Sequence, residues 1–241
     1  MSPTPNPDWI PTPKNRKKRV EVKELNLEEK VAEIAQKYNL PAELVKGVTP
    51  KRLFRMVEVL ERRQKGLQFF MDYVYSHHNL SAIVRSGDAV NIEKLYYRHQ
   101  TRTKLNSQVT MGAERWLFIE QVEEIEEFYR QKKGEGFQIV STDLTSRSID
   151  FREVDYTRPT LIVVGNEVDG VSPETRKWAD INVIIPMYGM SQSLNVSVAS
   201  AVLLYEAQRQ RAEKGLYTRP LLSPEEIGAT LSRWLEREVK G

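Results

Sequence analysis

The chain has 241 residues, of which 40% are hydrophobic, and a formal net charge of +3 at pH 7. This length allows one ordinary α/β domain with extensions, or two small domains. The absence of cysteine excludes disulfides and thiolate metal sites, and three histidines are too few to build a metal site alone. No apolar run is long enough to span a bilayer and none follows the basic N-terminus as in a secretory signal. We therefore expect a cytoplasmic protein with no metal and no membrane partner.

The first segment of the chain is rich in proline and bases. Prolines followed by a block of lysines and arginines predict a disordered basic arm over residues 1–22. Residues 23–66 then predict a helical extension, with one helix from about Leu27 and a second after Pro50. The second helix carries bases on the face opposite its apolar residues, namely Arg52, Arg55, Arg62 and Arg63. Clustered basic residues favour RNA binding. The alternative is that these arginines form an ordinary solvent-exposed helix face.

From residue 67 the pattern changes to short apolar runs with helical segments between several of them. The strand-type runs are FFMDYV, KLYYRH, RWLFIE, FQIVSTDL, TLIVVGN and INVIIPM. Strands that alternate with helices predict an α/β fold, in which helices cover both faces of a parallel sheet.

The last part of the chain is predicted to be helical. A long helix is expected from Ser193 to about Lys214, and a final helix closes a C-terminal extension over residues 215–241. The long helix is apolar nearly all round, so we expect it to be buried on every side. One of its sides carries Leu194, Val198, Ala201, Val202 and Tyr205.

Polar clusters follow several of the predicted strands: SHHN, GNEVDG and MYGMSQSLN. In open α/β sheets ligands bind at the carboxyl ends of the strands, so position alone makes these clusters a candidate site. The third cluster contains Ser191, Gln192, Ser193 and Asn195. One such residue is enough to cap a helix, which leaves the others available for binding or chemistry.

The common enzyme fingerprints are missing. The sequence has no G-x-G-x-x-G after its first strand, no phosphate-binding loop, no G-x-S-x-G and no HExxH. Dinucleotide-dependent enzymes, P-loop NTPases, α/β-hydrolases and zinc proteases are therefore poor fits.

Three segments together resemble the motifs of a known family. NLSAIVR (Asn79–Arg85), VVGNEVDGVS (Val163–Ser172) and IPMYGMSQSLNVSVASAVLLYE (Ile185–Glu206) are similar, in order and spacing, to the SpoU-type RNA 2′-O-ribose methyltransferases of the SPOUT superfamily. The resemblance covers residues 67–214. It implies a SPOUT fold, a parallel sheet with a deep trefoil knot at about residues 141–214, although knots are rare in general.

The resemblance also implies a methyl donor, S-adenosylmethionine, wrapped by the polar loops. Its adenine needs an apolar slot edged by main-chain groups. The residues expected to bind it are Thr142, Gly165, Asn166, Ile185, Met187, Met190 and Leu194. Without the resemblance, Ile185 and Leu194 would be read as core residues.

The acceptor implied by the family is a ribose 2′-hydroxyl. Arg85 matches the essential arginine of the first motif, and we expect it to stabilise developing alkoxide charge rather than act as a base, because guanidinium resists deprotonation. Asn79, Glu167, Ser193 and Asn195 are expected to hold Arg85 and the loops in place. The alternatives are purely structural roles: a surface salt bridge for Arg85, and helix capping for Ser193 or Asn195.

Two further stretches, DFREVDYTRP and LLYEAQRQRAEKGLYTRP, resemble the members of the family that methylate the D-loop of tRNA. This implies guanosine 18 of tRNA as the acceptor and a homodimer as the active form. Ribosomal RNA methylation and a non-catalytic RNA-binding relative remain the alternatives. The bases expected to hold RNA phosphates are Arg52, Arg55, Arg62, Arg63, Arg115, Arg209 and Arg211.

Overall fold

The computed structural model describes residues 27–99, 107–166 and 168–240. The arm predicted for residues 1–22 and the candidate site residue Glu167 lie outside the described part of the chain.

A parallel sheet forms the centre of the structure. The described residues contribute seven strands in the spatial order β3-β2-β1-β6-β4-β7-β5, and every pairing between neighbours is parallel. In chain order the strands are β1 (Gln64–Asp72), β2 (Ile92–Arg98), β3 (Ile119–Gln121), β4 (Gln138–Thr142), β5 (Ile149–Asp150), β6 (Thr160–Val164) and β7 (Ile181–Ile184). The predicted parallel α/β fold is thus confirmed.

Helices flank this sheet and extend it at both ends of the chain. They are α1 (Leu27–Lys37), α2 (Ala42–Lys46), α3 (Pro50–Glu61), α4 (His77–Val90), α5 (Ser107–Thr110), α6 (Ile125–Gly134), α7 (Pro173–Trp178), α8 (Val196–Glu213) and α9 (Pro224–Lys240). Single 3₁₀ turns span Ala113–Arg115 and Phe151–Glu153.

Both faces of the sheet are covered, as the continuous apolar strands require. In β6, Ile162 and Val164 belong to one buried cluster, and Leu161 and Val163 belong to the opposite one. Helices α4 and α8 complete the first cluster, and α6 completes the second with Trp178 of α7 packed against it. The segment predicted to be knotted contains the end of β4 and all of β6 and β7, and these three strands lie side by side. The threading itself stays a prediction.

The two terminal extensions share one core. Leu53 and Leu60 of α3 form a buried cluster with Leu231 and Trp234 of α9. Trp116, from the segment before β3, packs against this cluster with its ring 5.2 Å from that of Trp234. The helical segments before and after the sheet domain are therefore held together, although the sequence pattern treats them as separate.

Strand β1 begins five residues before the predicted apolar run at Phe69. The reason is that polar Gln64 is buried and fully used, since its Nε2 donates to the carbonyls of Arg62 and Leu216 and its Oε1 accepts from Arg211. Helix α8 begins at Val196 instead of Ser193, because the side chain of Asn195 caps it.

Two of the predicted RNA-binding arginines are interior residues, so that prediction is wrong for them. Arg63 and Arg211 are 2% and 1% exposed. Arg63 donates to the carbonyls of Ile92 and Trp116, both at 2.9 Å. Burial lowers the pKa of both guanidiniums to about 10, which leaves them charged at neutral pH.

Arg211 joins α8 to the start of β1 and to the segment before β6. Its Nε donates to the carbonyl of Tyr156 at 2.9 Å, and its two terminal nitrogens reach the carbonyls of Lys65 at 3.1 Å and Arg158 at 3.3 Å. Buried carbonyls need donors, and a planar guanidinium supplies several from one side chain.

The prediction that α8 is buried on every side is wrong for the single chain. Val198 and Tyr205 are 49% and 53% exposed, whereas Leu203 and Leu204 are fully buried. One side of α8 packs on α4 and the sheet, and the other presents apolar side chains to the surface.

Among the described residues no helix combines the length and apolar character that a membrane crossing requires.

Replacing Arg211 by alanine should lower the free energy of unfolding by about 3 kcal/mol, because several buried carbonyls lose their donors. Urea denaturation measures this change. Arg209→Ala, two residues earlier in α8, is the matched control. Arg209 is exposed and forms ion pairs with Glu206 and Glu213, so its loss should cost less than about 1 kcal/mol. Equal losses in both variants would contradict the interior role of Arg211.

Candidate functional site

Four neighbouring strands end at the same edge of the sheet. Because β1, β6, β4 and β7 are adjacent and parallel, the segments that follow them emerge together. These segments are residues 73–76 before α4, 165–172 after β6, 143–148 after β4 and 185–195 after β7. They carry the polar clusters predicted from the sequence.

The first and third motifs meet through a pair of asparagines. Asn195 Nδ2 donates to Asn79 Oδ1 at 3.2 Å, although the two residues are far apart in the chain. Asn79 is buried in the first turn of α4, and Asn195 directly precedes α8. The bond therefore fixes the N-termini of two helices against each other at the carboxyl edge of the sheet.

Asn195 also caps its own helix, which confirms the capping interpretation, while its supporting role toward Arg85 stays a prediction. Its Oδ1 accepts from the main-chain N–H of Ser197 at 2.9 Å and from the Ser197 hydroxyl at 2.6 Å. One amide side chain thus closes the first turn of α8 and contacts the first motif. Ser193 lies exposed two residues earlier in the same segment.

Arg85 lies on the exposed side of α4. It makes no hydrogen bond or ion pair with any residue that the structure describes. His78, Ala82 and Ala89 occupy the same side of the helix at spacings of three and four residues. The guanidinium is available to an anionic partner.

The segment after β6 closes tightly on itself. The N–H of Asn166 donates to the carbonyl of Gly170 at 3.0 Å, and Asn166 Oδ1 accepts from the N–H groups of Val168 and Asp169. A Cβ on Gly165 would lie 2.0 Å from the Gly170 carbonyl carbon, so only glycine fits there. Asn166 therefore builds the loop from within.

A buried carboxylate anchors the far end of that loop. Asp72, fully buried at the end of β1, accepts from the Ser172 N–H and the Thr175 hydroxyl, both at 2.7 Å. Thr175 in turn accepts from the Tyr129 hydroxyl at 2.6 Å. Burial raises the pKa of Tyr129, which keeps it a neutral donor. This network ties α7 to the strand that leads into α4.

Arg176 connects the loops that follow β4 and β6. Its Nε donates to Asp143 Oδ2 at 2.9 Å, and its Nη2 donates to the Asp169 carbonyl at 3.2 Å. Thr142 also connects these strands, since its hydroxyl donates to the Val163 carbonyl at 3.4 Å. The bases of the two loops are thus held in a fixed relation.

The tips of these loops expose apolar side chains. Leu144, Val168, Tyr188 and Met190 are between 84% and 100% exposed, each on one of three neighbouring loops. Such side chains offer the uncovered apolar surface that a purine ring needs. Among the other predicted donor residues, Thr142, Ile185 and Met187 are half-buried and Leu194 is 37% exposed.

The remaining predicted RNA-binding arginines lie at the surface in ion pairs. Arg52 and Arg115 share Glu238, with closest distances of 3.0 and 3.2 Å, and their guanidiniums lie over the ring of Trp116. Glu58 pairs with both Arg55 and Arg62. Arg209 pairs with Glu206 and Glu213. In the first two groups two arginines share one carboxylate, which leaves net positive charge.

Sequence reasoning missed the residues that hold the loops from behind: Asp72, Thr175 and Arg176. A carboxylate at the end of the apolar run FFMD was a usable signal, because a buried carboxylate requires donors. Nothing in the sequence marks Thr175 or Arg176.

No cluster of potential metal ligands occurs among the described residues.

Comparison with known proteins adds to this geometry. The model of the SpoU rRNA Methylase family matches residues 66–205. The tRNA (guanosine(18)-2'-O)-methyltransferase of Aquifex aeolicus (strain VF5) is 54% identical over 194 residues, which are 80% of this chain and 92% of that protein. The crystal structure of the A. aeolicus TrmH/SpoU tRNA modifying enzyme has a TM-score of 0.76 and 54% identity, and covers 78% of this chain and 97% of that one.

A more distant structure contains a ligand. The SpoU methyltransferase AviRb of Streptomyces viridochromogenes, solved in complex with the cofactor AdoMet, has a TM-score of 0.53 and 29% identity, and covers 63% of this chain and 59% of that one. The three motifs identified in the sequence lie within the segments matched by the family model, apart from Glu206 at its end.

Replacing Gly165 by alanine should lower the free energy of unfolding by about 2 kcal/mol, because the new methyl group would overlap the backbone of Gly170. Urea denaturation measures the loss. Gly189→Ala is the control, since a Cβ there meets nothing within 4 Å, and the change should be smaller than about 1 kcal/mol. An unchanged stability in Gly165→Ala would show that the loop does not close as described.

Proposed function

Because the chain belongs to the SpoU rRNA methylase family, we propose that it transfers a methyl group from S-adenosylmethionine to a ribose 2′-hydroxyl of tRNA, at guanosine 18 in the D-loop. The observation that carries this proposal is the hydrogen bond between Asn79 and Asn195, which joins the first and third motifs at one edge of the sheet. The names of the A. aeolicus relatives support the choice of tRNA.

The donor site is assigned to the three loops that follow β6, β4 and β7. Gly165 and Asn166 shape one loop, and Thr142 begins the next. Ile185, Met187, Met190 and Leu194 supply apolar surface from the third. When bound, the donor supplies a methyl carbon attached to a sulfonium sulfur. The complex of AviRb with AdoMet supports the choice of donor.

Arg85 is assigned to the acceptor. Transfer would form a bond from the 2′-oxygen to the methyl carbon, break the carbon–sulfur bond with its electron pair left on sulfur, and release the hydroxyl proton to solvent water. A guanidinium beside the 2′-oxygen stabilises the negative charge that develops there. Arg85 has no competing carboxylate among the described residues, which suits this role. Asn79 and Asn195 keep α4 in place, and Glu167 and Ser193 are assigned the same supporting role.

Binding of the tRNA phosphates is assigned to the terminal helices. Arg52, Arg55, Arg62 and Arg115 lie on or beside α3, where α9 packs, and their shared carboxylates leave net positive charge. Exposed ion pairs are weak, so phosphate oxygens can compete for these guanidiniums. Arg209 would add a contact on α8. A cytoplasmic location is proposed with this substrate.

Ribosomal RNA is the second candidate substrate. The matching family model is described as an rRNA methylase family, which favours it. The core motifs serve the transfer chemistry, so they do not choose between the two RNAs. The greater similarity to a tRNA enzyme places tRNA first.

A methyl-transfer assay with labelled S-adenosylmethionine tests the proposal. Unmodified tRNA and ribosomal RNA transcripts are compared, and the labelled nucleotide is mapped. Label on the 2′-oxygen of guanosine 18 in tRNA is the expected result. Label in ribosomal RNA alone would overturn the substrate, and donor binding without transfer to either RNA would overturn the enzymatic function.

Arg85→Lys should reduce kcat by at least about 100-fold, because lysine keeps the charge but loses the planar set of donors. Donor affinity, measured by calorimetry, should stay within about twofold of that of the unchanged protein, since Arg85 is assigned to the acceptor. Normal turnover in this variant would remove Arg85 from its assigned role.

We expect a homodimer in solution. Val198 and Tyr205 form an exposed apolar side along α8, and burying it against a second copy would remove it from water. Light scattering at micromolar concentration measures the mass. Val198→Glu should shift it toward the monomer and reduce turnover, whereas a fully active monomer of the unchanged protein would contradict the proposal.

A further inference from the structure

A small cluster of rings stands beside the candidate site. Tyr75 lies 6.3 Å from His99 between ring centroids, at an interplanar angle of 75°, and His77 lies 6.1 Å from His99 at 58°. Tyr75 is 49% exposed, and His77 is also exposed. These three residues, the ring cluster, are not part of the donor or acceptor assignments made above.

The ring cluster comes from the carboxyl ends of two adjacent strands. Tyr75 and His77 follow β1, and His99 follows β2. Asn79 lies two residues after His77, in the first turn of α4, and its N–H is capped by the Ser76 hydroxyl at 3.4 Å. The rings therefore lie at the N-terminus of α4, the helix that carries Arg85.

The backbone beneath the ring cluster is held in a specific shape. Tyr73 has a φ of 59°, in the left-handed region that non-glycine residues rarely adopt. Its N–H donates to the Arg98 carbonyl at 3.2 Å, and the Arg98 guanidinium lies 4.7 Å from the centre of its ring. These contacts make the chain turn directly after β1, so Tyr75 emerges at the surface.

His99 is held from the other side. Gln121 Nε2, at the end of β3, donates to the His99 carbonyl at 3.4 Å. The His77 carbonyl accepts from the Ser81 hydroxyl at 2.7 Å within α4. The ring cluster thus rests on the ends of three strands and the first turn of a helix, which keeps its position fixed before a ligand binds.

We propose that Tyr75, together with His77 and His99, stacks on the base of an unpaired RNA nucleotide next to the methylated ribose. This inference rests on the proposed function and adds a contact to the base, whereas the donor loops and Arg85 contact the donor and the ribose. It assigns the ring cluster to substrate binding and not to methyl transfer itself.

The chemistry of the ring cluster favours a nucleobase. Proteins recognise unpaired RNA nucleotides by stacking their bases on exposed Tyr, Phe, Trp and His rings, and every base has a flat face to offer. A ribose 2′-hydroxyl inside a folded RNA becomes reachable when its nucleotide is drawn out of the stack. An aromatic surface at the start of the helix that carries Arg85 compensates for the stacking that the neighbouring nucleotide loses when the acceptor nucleotide is drawn out.

The test compares Tyr75→Ala with Tyr75→Phe in the full chain. With tRNA as substrate, Tyr75→Ala should raise KM roughly 5- to 150-fold, the range that loss of one base–aromatic stack produces, while kcat falls less. Tyr75→Phe keeps the ring and should stay within about threefold of the unchanged protein. Affinity for S-adenosylmethionine should be equal in all three proteins.

A second measurement identifies the stacked base. Equilibrium binding is measured with tRNA transcripts that lack a single base at the acceptor nucleotide or at either neighbour. On the transcript that lacks the stacked base, Tyr75→Ala should bind as well as the unchanged protein, because the contact is already gone. If the alanine variant loses the same affinity on every transcript, or loses none on intact tRNA, the inference is wrong.

The outcome separates this inference from the proposed function. If the unchanged protein methylates tRNA but Tyr75→Ala behaves identically, only the stacking contact is overturned. If the unchanged protein methylates no RNA, the proposed function itself fails. Circular dichroism confirms that each variant is folded, which is expected because the Tyr75 side chain is half exposed.

Discussion

The parallel pairing of the strands is the constraint on which the site depends. It brings the ends of β1, β6, β4 and β7 to one edge, so residues from distant parts of the chain meet there. The Asn79–Asn195 hydrogen bond is the direct consequence, since α4 and α8 both begin at that edge and cover the same face of the sheet. An antiparallel arrangement would send alternate loops to opposite ends and separate the motifs.

The loops at this edge combine fixed bases with exposed tips. Asp72 and Arg176 hold the ends of these loops next to the sheet with charge-assisted hydrogen bonds. The Asn166 side chain closes the loop after β6 by accepting hydrogen bonds from that loop's own backbone. The tips expose Leu144, Met190 and other apolar side chains that the single chain leaves uncovered. A rigid frame with uncovered apolar surface is suited to a ligand that is largely flat, because little ordering is needed when the ligand binds.

The sequence predicted the strands and the grouping of the motifs because both depend on local patterns. Each expected strand run overlaps an observed strand, and the polar clusters lie at the edge that the parallel topology dictates.

Whether an individual arginine is buried or exposed was not predictable in this way. Arg63 and Arg211 are interior because carbonyl groups far away in the chain, such as that of Tyr156, accept from them. Arg52 and Arg62 show similar sequence surroundings yet lie at the surface. Likewise, the apolar pattern around α8 did not distinguish the side that meets α4 from the side that stays exposed.

Hydrogen–deuterium exchange with and without S-adenosylmethionine tests the central claim most directly, namely that the loops after β6, β4 and β7 form the donor site. The main-chain amides of residues 143–148, 165–171 and 185–195 should exchange more slowly when the donor is bound, while α3 and α9 remain unchanged. Protection confined to another part of the chain, or no protection at saturating donor, would contradict the account.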